Sequence, residues 1–425
     1  MASNDAPDAS DDGPYHHGLE APKTFKKHHK NSCFCIAWSH DCEIIYSGGG
    51  DNTTRVWKAD GTLLHTITDK RGGHASHTTC VSTRIAEDGE EELVTGSYDE
   101  TVRFWRKKGA VKVREEKNTM VYCMAVSKSG LFVACGNNDG KIRMFDAEDG
   151  THRAMLLGPK TAILSIGWSP DDVSLCCGSR DERAYTWKLG NLKHGPDEEM
   201  RLLQQEYHRF DGHKNDVCGI AWHPDGAWIV TCAHDSTIRV WHSGSGRLVY
   251  KIDIPLPEDY ESEDWDSDDE DNERTKQMRD RQRNANSAMC VAWSLDGRNL
   301  ISGHLKGALR IWSSGGNLLH KYQGHGNECI YKIAISRFGD VATCGEDFCV
   351  AVWKPITAET ARLKRKEQDD AVAALTGKEA PDASVAAPAA DAAAAVAEVK
   401  LAPEAAETGK KSAEVDDDDE LATVE

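Results

Sequence analysis

The residues able to do chemistry are 14 cysteines, 18 histidines and 70 carboxylates, and their spacing decides what they do. Cys35, Cys80, Cys123, Cys135, Cys176, Cys218, Cys232, Cys290 and Cys344 lie scattered inside apolar runs. A zinc site needs Cys or His pairs at short fixed intervals, and no CxxC pair or Cys/His cluster has that spacing. Cysteines placed in this way pack as small hydrophobes in a reducing compartment. No GxGxxG opens a helix after a strand, no GxxxxGK[ST] cradles a phosphate, and no GxSxG presents a nucleophilic serine. The glycine-rich SGGGDN (47–52) matches TGSYDE (95–100) and reads as a turn. These residues point to no catalytic group, metal or cofactor, so the expectation is a protein that is not an enzyme.

The elements carrying these residues repeat. DNTTRVW (51–57), DETVRFW (99–105), DGKIRMF (139–145), DERAYTW (181–187), DSTIRVW (235–241), KGALRIW (306–312) and DFCVAVW (347–353) share one pattern. Six of the seven place Asp six residues before the closing aromatic, and only Lys306 departs. A second column precedes the first: Trp38, Val126, Trp168, Trp222 and Trp293 each lie 19 residues before the closing aromatic. Ten of the twelve tryptophans fall in these two columns, which makes them packing residues. Between the columns, runs such as HPDGAWIVTCA (223–233) place a Pro-Asp-Gly-type turn between apolar segments, the mark of a β-hairpin. Each unit is three strands, usually followed by a fourth.

Across roughly residues 23–354 the sequence resembles the WD-repeat family. The resemblance implies an all-β, seven-bladed WD-repeat β-propeller. It also implies a hydrogen-bonded set in each complete blade, made by a His before the first strand, a Ser/Thr on the second, an Asp in the next turn and a Trp on the third. The residues at these positions are His29, Asp51 and Trp57 in blade one, and Asp99 and Trp105, with His74, in blade two. Asp181 and Trp187 hold them in blade four, and His213, Thr231, Asp235 and Trp241 in blade five. Blade seven has His325, Asp347 and Trp353. Blades three, four and six lack a clear His and are expected to cohere by apolar packing alone. Terminal blades need a cap or ring closure. Blade seven has no fourth strand of its own, so residues 23–29 are expected to supply it.

The appendages carry the charge. Residues 258–283 hold twelve acids and five bases, residues 367–425 hold sixteen and four, and together they account for the formal −19. The expected organisation is a disordered N-terminal segment (1–22), the propeller (23–354) with an acidic insertion at 255–286 between blades five and six, and a mostly disordered Ala/acid-rich tail (355–425). Ser267, followed by Asp268, Asp269 and Glu270, suits an acid-directed kinase. A neutral core with acidic appendages is a poor general binder of nucleic acid. No apolar run is long enough for a membrane helix, and the N-terminus lacks a secretion pattern. An intracellular protein, cytoplasmic or nuclear, is expected.

The function that follows from the resemblance is a protein-interaction scaffold, monomeric by itself within a larger complex. Turn residues just before the Asp column, namely Tyr98, Asn138, Arg180, His234 and Glu346, would line its binding face. An alternative is an acidic chaperone or assembly factor for basic histone-like or ribosomal partners. A ubiquitin-pathway adaptor is a third reading, weakened because no closing Trp is followed by Asp-x-Arg.

Overall fold

A computed structural model of the chain describes residues 15, 17–25, 29–106, 109–115, 119–190, 201–203, 207–255 and 286–357. Ser267, nearly all of the acidic insertion and the tail beyond 357 lie outside the described residues.

Seven sheets follow one another along the chain. Blade one comprises Cys33–Trp38, Ile44–Gly49, Thr54–Lys58 and Leu63–Ile67. The innermost strands of the next six blades are Thr78–Ile85, Val121–Val126, Ile163–Trp168, Val217–Trp222, Ala288–Trp293 and Ile330–Ile335. Lys23–Thr24 is the fourth strand of blade seven, with Lys23 opposite Val352 and Thr24 opposite Ala351. One unforeseen strand, Arg201–Leu203, adds to blade three in parallel with His152–Leu156.

The core is seven buried clusters, each spanning one blade boundary. The cluster that closes the ring joins Cys33, Ile36, Trp38 and Trp57 to Ala342, Cys344, Val350 and Val352. Blades converge toward the axis, so their inner edges must be small. At Gly136 a Cβ would lie 2.5 Å from Cys123 Sγ and 2.7 Å from Ile163 of the next blade.

Part of the N-terminal segment departs from expectation. Tyr15 is fully buried, donating from its hydroxyl to the Gly339 carbonyl at 2.7 Å. The Leu19 amide donates to Tyr322 Oη at 2.6 Å, and Leu19 pairs with Pro355. Both side chains join the cluster between blades six and seven. These two apolar side chains seat the stretch together with backbone bonds from the Glu20 amide to the Lys354 carbonyl and from the Ile356 amide to the Gly18 carbonyl.

Four blades hold the full polar set. In blade five Trp241 Nε1 donates to Thr231 Oγ1 (2.9 Å), Thr231 Oγ1 donates to His213 Nε2 (2.7 Å), and His213 Nδ1 donates to Asp235 (3.0 Å). Blades one, two and seven repeat this through Ser47, Thr95 and Thr343, with His–carboxylate distances of 2.9, 2.9 and 2.8 Å. The relay satisfies every buried donor, which is why it survives in a dry interior.

Blades four and six differ from expectation in opposite senses. Trp187 Nε1 has no hydrogen-bond partner, because Cys177 replaces the hydroxyl residue ten positions earlier and a thiol is a poor acceptor. Asp181 instead accepts from the Tyr185 hydroxyl at 2.8 Å. Blade six is not held by apolar packing alone. Trp312 Nε1 donates to Ser302 Oγ (2.8 Å), which meets His304 Nε2 (2.8 Å), and His304 Nδ1 donates to the Asn286 carbonyl (3.1 Å). This histidine comes from the second strand instead of the preceding loop.

Two predictions follow from the polar set. Thr231→Ala strands Trp241 Nε1 and His213 Nε2 in the interior, so urea unfolding should show a loss of about 1–3 kcal/mol, while Thr231→Ser retains most of the stability. Burial raises the Asp235 carboxyl, but His213, Thr237 and the Lys214 amide outweigh it and hold it at about 2. A depressed carboxyl stabilises the fold above its unfolded value of about 4 and loses that contribution as pH falls toward its folded value. The Tm deficit of Asp235→Asn should therefore be full at pH 7 and shrink between about pH 4 and pH 2.

Candidate functional site

In all seven blades the pairing of the first strand with the second slips by one residue at the same place. The slips fall between Cys33 and Cys35, Thr78 and Cys80, Val121 and Cys123, Ile163 and Ser165, Val217 and Gly219, Ala288 and Cys290, and Ile330 and Lys332. A bulge adds one unpaired residue and re-aims its side chain. The seven extra residues, from Phe34 in blade one to Tyr331 in blade seven, all line a central cavity of about 320 Å³.

The lining is asymmetric. On one side an aromatic arc crosses blades seven, one, two and three; Tyr331, Phe34, Tyr98 and Tyr122 line the cavity, and His77 bridges Phe34 and Tyr98 without lining it. Ring centroids lie 5.3 Å apart for Tyr331 and Phe34, 5.7 Å for Phe34 and His77, 5.6 Å for His77 and Tyr98, and 5.0 Å for Tyr98 and Tyr122. These are the offset separations that aromatic pairs prefer. On the other side Arg180, half exposed, lies 3.3 Å from Asp216, and burial lowers the neighbouring His234 imidazole. Lys332 also lines the cavity.

The thiols beneath are structural in geometry. Cys35 donates to the Thr78 carbonyl at 3.6 Å, Cys123 to Ile163 at 3.5 Å and Cys290 to Ile330 at 3.5 Å, each a contact with the following blade. Burial pushes the Cys80 and Cys290 thiols up to about 12. Such thiols remain protonated at neutral pH and are weak nucleophiles. Among the described residues no group of His, Cys, Asp or Glu could hold a metal ion.

Of the five turn residues singled out from the sequence, Tyr98, Arg180 and His234 line the cavity. Asn138 and Glu346 are exposed and do not line it. Sequence reasoning missed the bulge residues Phe34, Tyr122 and Tyr331, and also His77. Strict strand alternation has no place for a one-residue slip. The available signal was a column, just ahead of runs such as CIAWS (35–39), in which Phe34, Tyr122, Leu164, Met289 and Tyr331 are bulky and only Thr79 and Cys218 are small.

The WD domain, G-beta repeat (WD40) family matches residues 20–58, 61–106, 111–146, 150–188, 204–242, 280–313 and 316–354. The chain belongs to this family, whose propeller is generally a non-catalytic scaffold. It is 25% identical over 224 residues to Periodic tryptophan protein 2 of Arabidopsis thaliana, covering 52% of this chain and 23% of that protein. It is 26% identical over 216 residues to the F-box-like/WD repeat-containing protein TBL1X of Mus musculus, covering 48% and 38%. Protein HIR1 of Cryptococcus neoformans is 23% identical over 228 residues, covering 47% and 24%. The chain thus spans less than half the length of each of these relatives. Among the described residues no helix is long and apolar enough to cross a membrane.

The raised thiols give a direct check. With Ellman's reagent at pH 8, Cys80 and Cys290 in the folded protein should react far more slowly than after denaturation, as read by mass spectrometry of the labelled peptides.

Proposed function

We propose that the protein is a non-catalytic scaffold that assembles partner proteins on the face bearing the cavity rim. The observation that supports this most is the bulge repeated in all seven blades, which turns a ring of side chains toward one opening. Large, half-buried aromatics and an Arg are the residue types that anchor interfaces. In this reading Tyr98, Arg180 and His234 contact the partner's central element, and Asn138 and Glu346 contact its periphery. The chain acts as a single propeller inside a larger complex.

A second reading, an assembly factor for basic proteins, draws on residues 258–273, which hold eleven carboxylates and no Lys or Arg. Opposite charge would speed the encounter, and salt would weaken it.

Affinity capture with mass spectrometry tests both. The double substitution Tyr98→Ala with Arg180→Glu should lower recovery of rim-dependent partners by tenfold or more while leaving Tm near wild type, since hot-spot residues cost about 2 kcal/mol or more each. Survival of every interactor would remove the scaffold face from consideration. Neutralising residues 258–273 should leave those partners in place and deplete only basic ones.

A further inference from the structure

Blade six is where the repeat loses its carboxylate. In blades one, two and three the third-strand Arg reaches the Asp four residues earlier: Arg55 to Asp51 at 3.5 Å, Arg103 to Asp99 at 3.5 Å, and Arg143 to Asp139 at 2.8 Å. Blade six keeps the Arg, as Arg310, and has Lys306 in the Asp column. Directly across the sheet from Arg310 stands Lys321, and like charges in that position repel. Both lysines are exposed.

Arg310 is only 2% exposed. Its Nη2 donates to Asn286 Oδ1 at 3.3 Å, and its Nε and Nη1 have no partner. Among the described residues no carboxylate pairs with Lys306, Arg310 or Lys321. A buried cation without a counter-charge is strongly destabilising, and removing such a charge commonly stabilises a fold. The site as built is one carboxylate short.

The chain carries that chemistry beside it. Residues 258–273, with eleven carboxylates, lie in the connection from blade five to blade six. Asn286 ends that connection. Its side chain donates to the Pro255 carbonyl at the other end and accepts from Arg310. A tethered carboxylate has a high effective concentration at a site so close to its anchor. We propose that Arg310, Lys306 and Lys321 form a docking site on blade six for carboxylates of the chain's own segment 258–273. A basic partner drawn to that segment then competes with blade six for it.

The sign of a stability change tests this. Full-length protein would be compared at low salt with Arg310→Met, with a length-preserving variant whose acids at 258–273 are changed to Asn and Gln, and with the combination. Docking predicts that each change lowers Tm, and that the combination lowers it no further than Arg310→Met alone. A rise or no change in Tm for Arg310→Met would overturn the proposal, because it would mean the cation sits unpaired. So would additive losses, or destabilisation by Arg310→Met with none from the neutralised segment. If Arg310→Met does not fold, Lys306→Glu with Lys321→Glu on the surface keeps the question open to a Glu-specific protease. Cleavage within 258–273 should then be several-fold faster than in wild type at low salt, and equal rates would sink the idea.

Discussion

A sheet of four short strands has two apolar faces and cannot cover either by itself. Every other property of this chain depends on that constraint. Each blade is solvent-proofed only by its neighbours, so the buried clusters fall at the boundaries between blades and not within them. A row of such units needs an end, and here it has none, because Lys23–Thr24 pairs with the last strand and the boundary between blades seven and one is packed like the others. Closure also gives the strand-ending tryptophans their place in the core. Trp57, Trp187 and Trp353 are among the largest fully buried side chains, and their work is to fill boundaries.

Closure imposes a wedge. Inner strands crowd toward the axis, and glycines such as Gly136 and Gly303 let the following blade approach where any Cβ would collide. The same crowding coincides with the bulges. One slipped residue per blade leaves the ladder and faces the cavity, so a feature of backbone geometry becomes a ring of side chains. Those side chains are free to vary because they are outside the ladder. Blades seven, one and three use that freedom for the aromatics Tyr331, Phe34 and Tyr122, while Thr79, Leu164, Cys218 and Met289 occupy the same position in blades two, four, five and six; blade two joins the aromatic arc through His77 and Tyr98, outside the slip.

The polar sets show how far the repeat tolerates substitution. A relay from indole to hydroxyl to imidazole to carboxylate works only when every member is present, since each is buried and each loss orphans a neighbour. Blade four, with Cys177, drops the indole bond and keeps its Asp on a tyrosine hydroxyl. Blade six, without the Asp, rebuilds the set on His304, where burial and the nearby Arg310 charge lower the imidazole to about 3. That rearrangement satisfies the histidine, and among the described residues it gives the guanidinium beside it no carboxylate.

The repeat count, the strand pattern and the Asp and Trp columns were legible in the residues themselves. They are local: a period of about forty residues, an alternation and a turn can be read without knowing what lies across a boundary. Even the closing strand could be inferred, because a missing fourth strand at one end matched an extra one at the other. Tertiary structure alone decided the rest. It buried Tyr15 and Leu19 in a segment whose composition is polar. It replaced a lost histidine with one from another strand, and it brought Phe34, His77, Tyr98, Tyr122 and Tyr331 into one arc. The reason is physical. A one-residue slip in pairing reverses which way a side chain faces, and it belongs to the register between two strands of a blade, which the alternation along either strand does not fix.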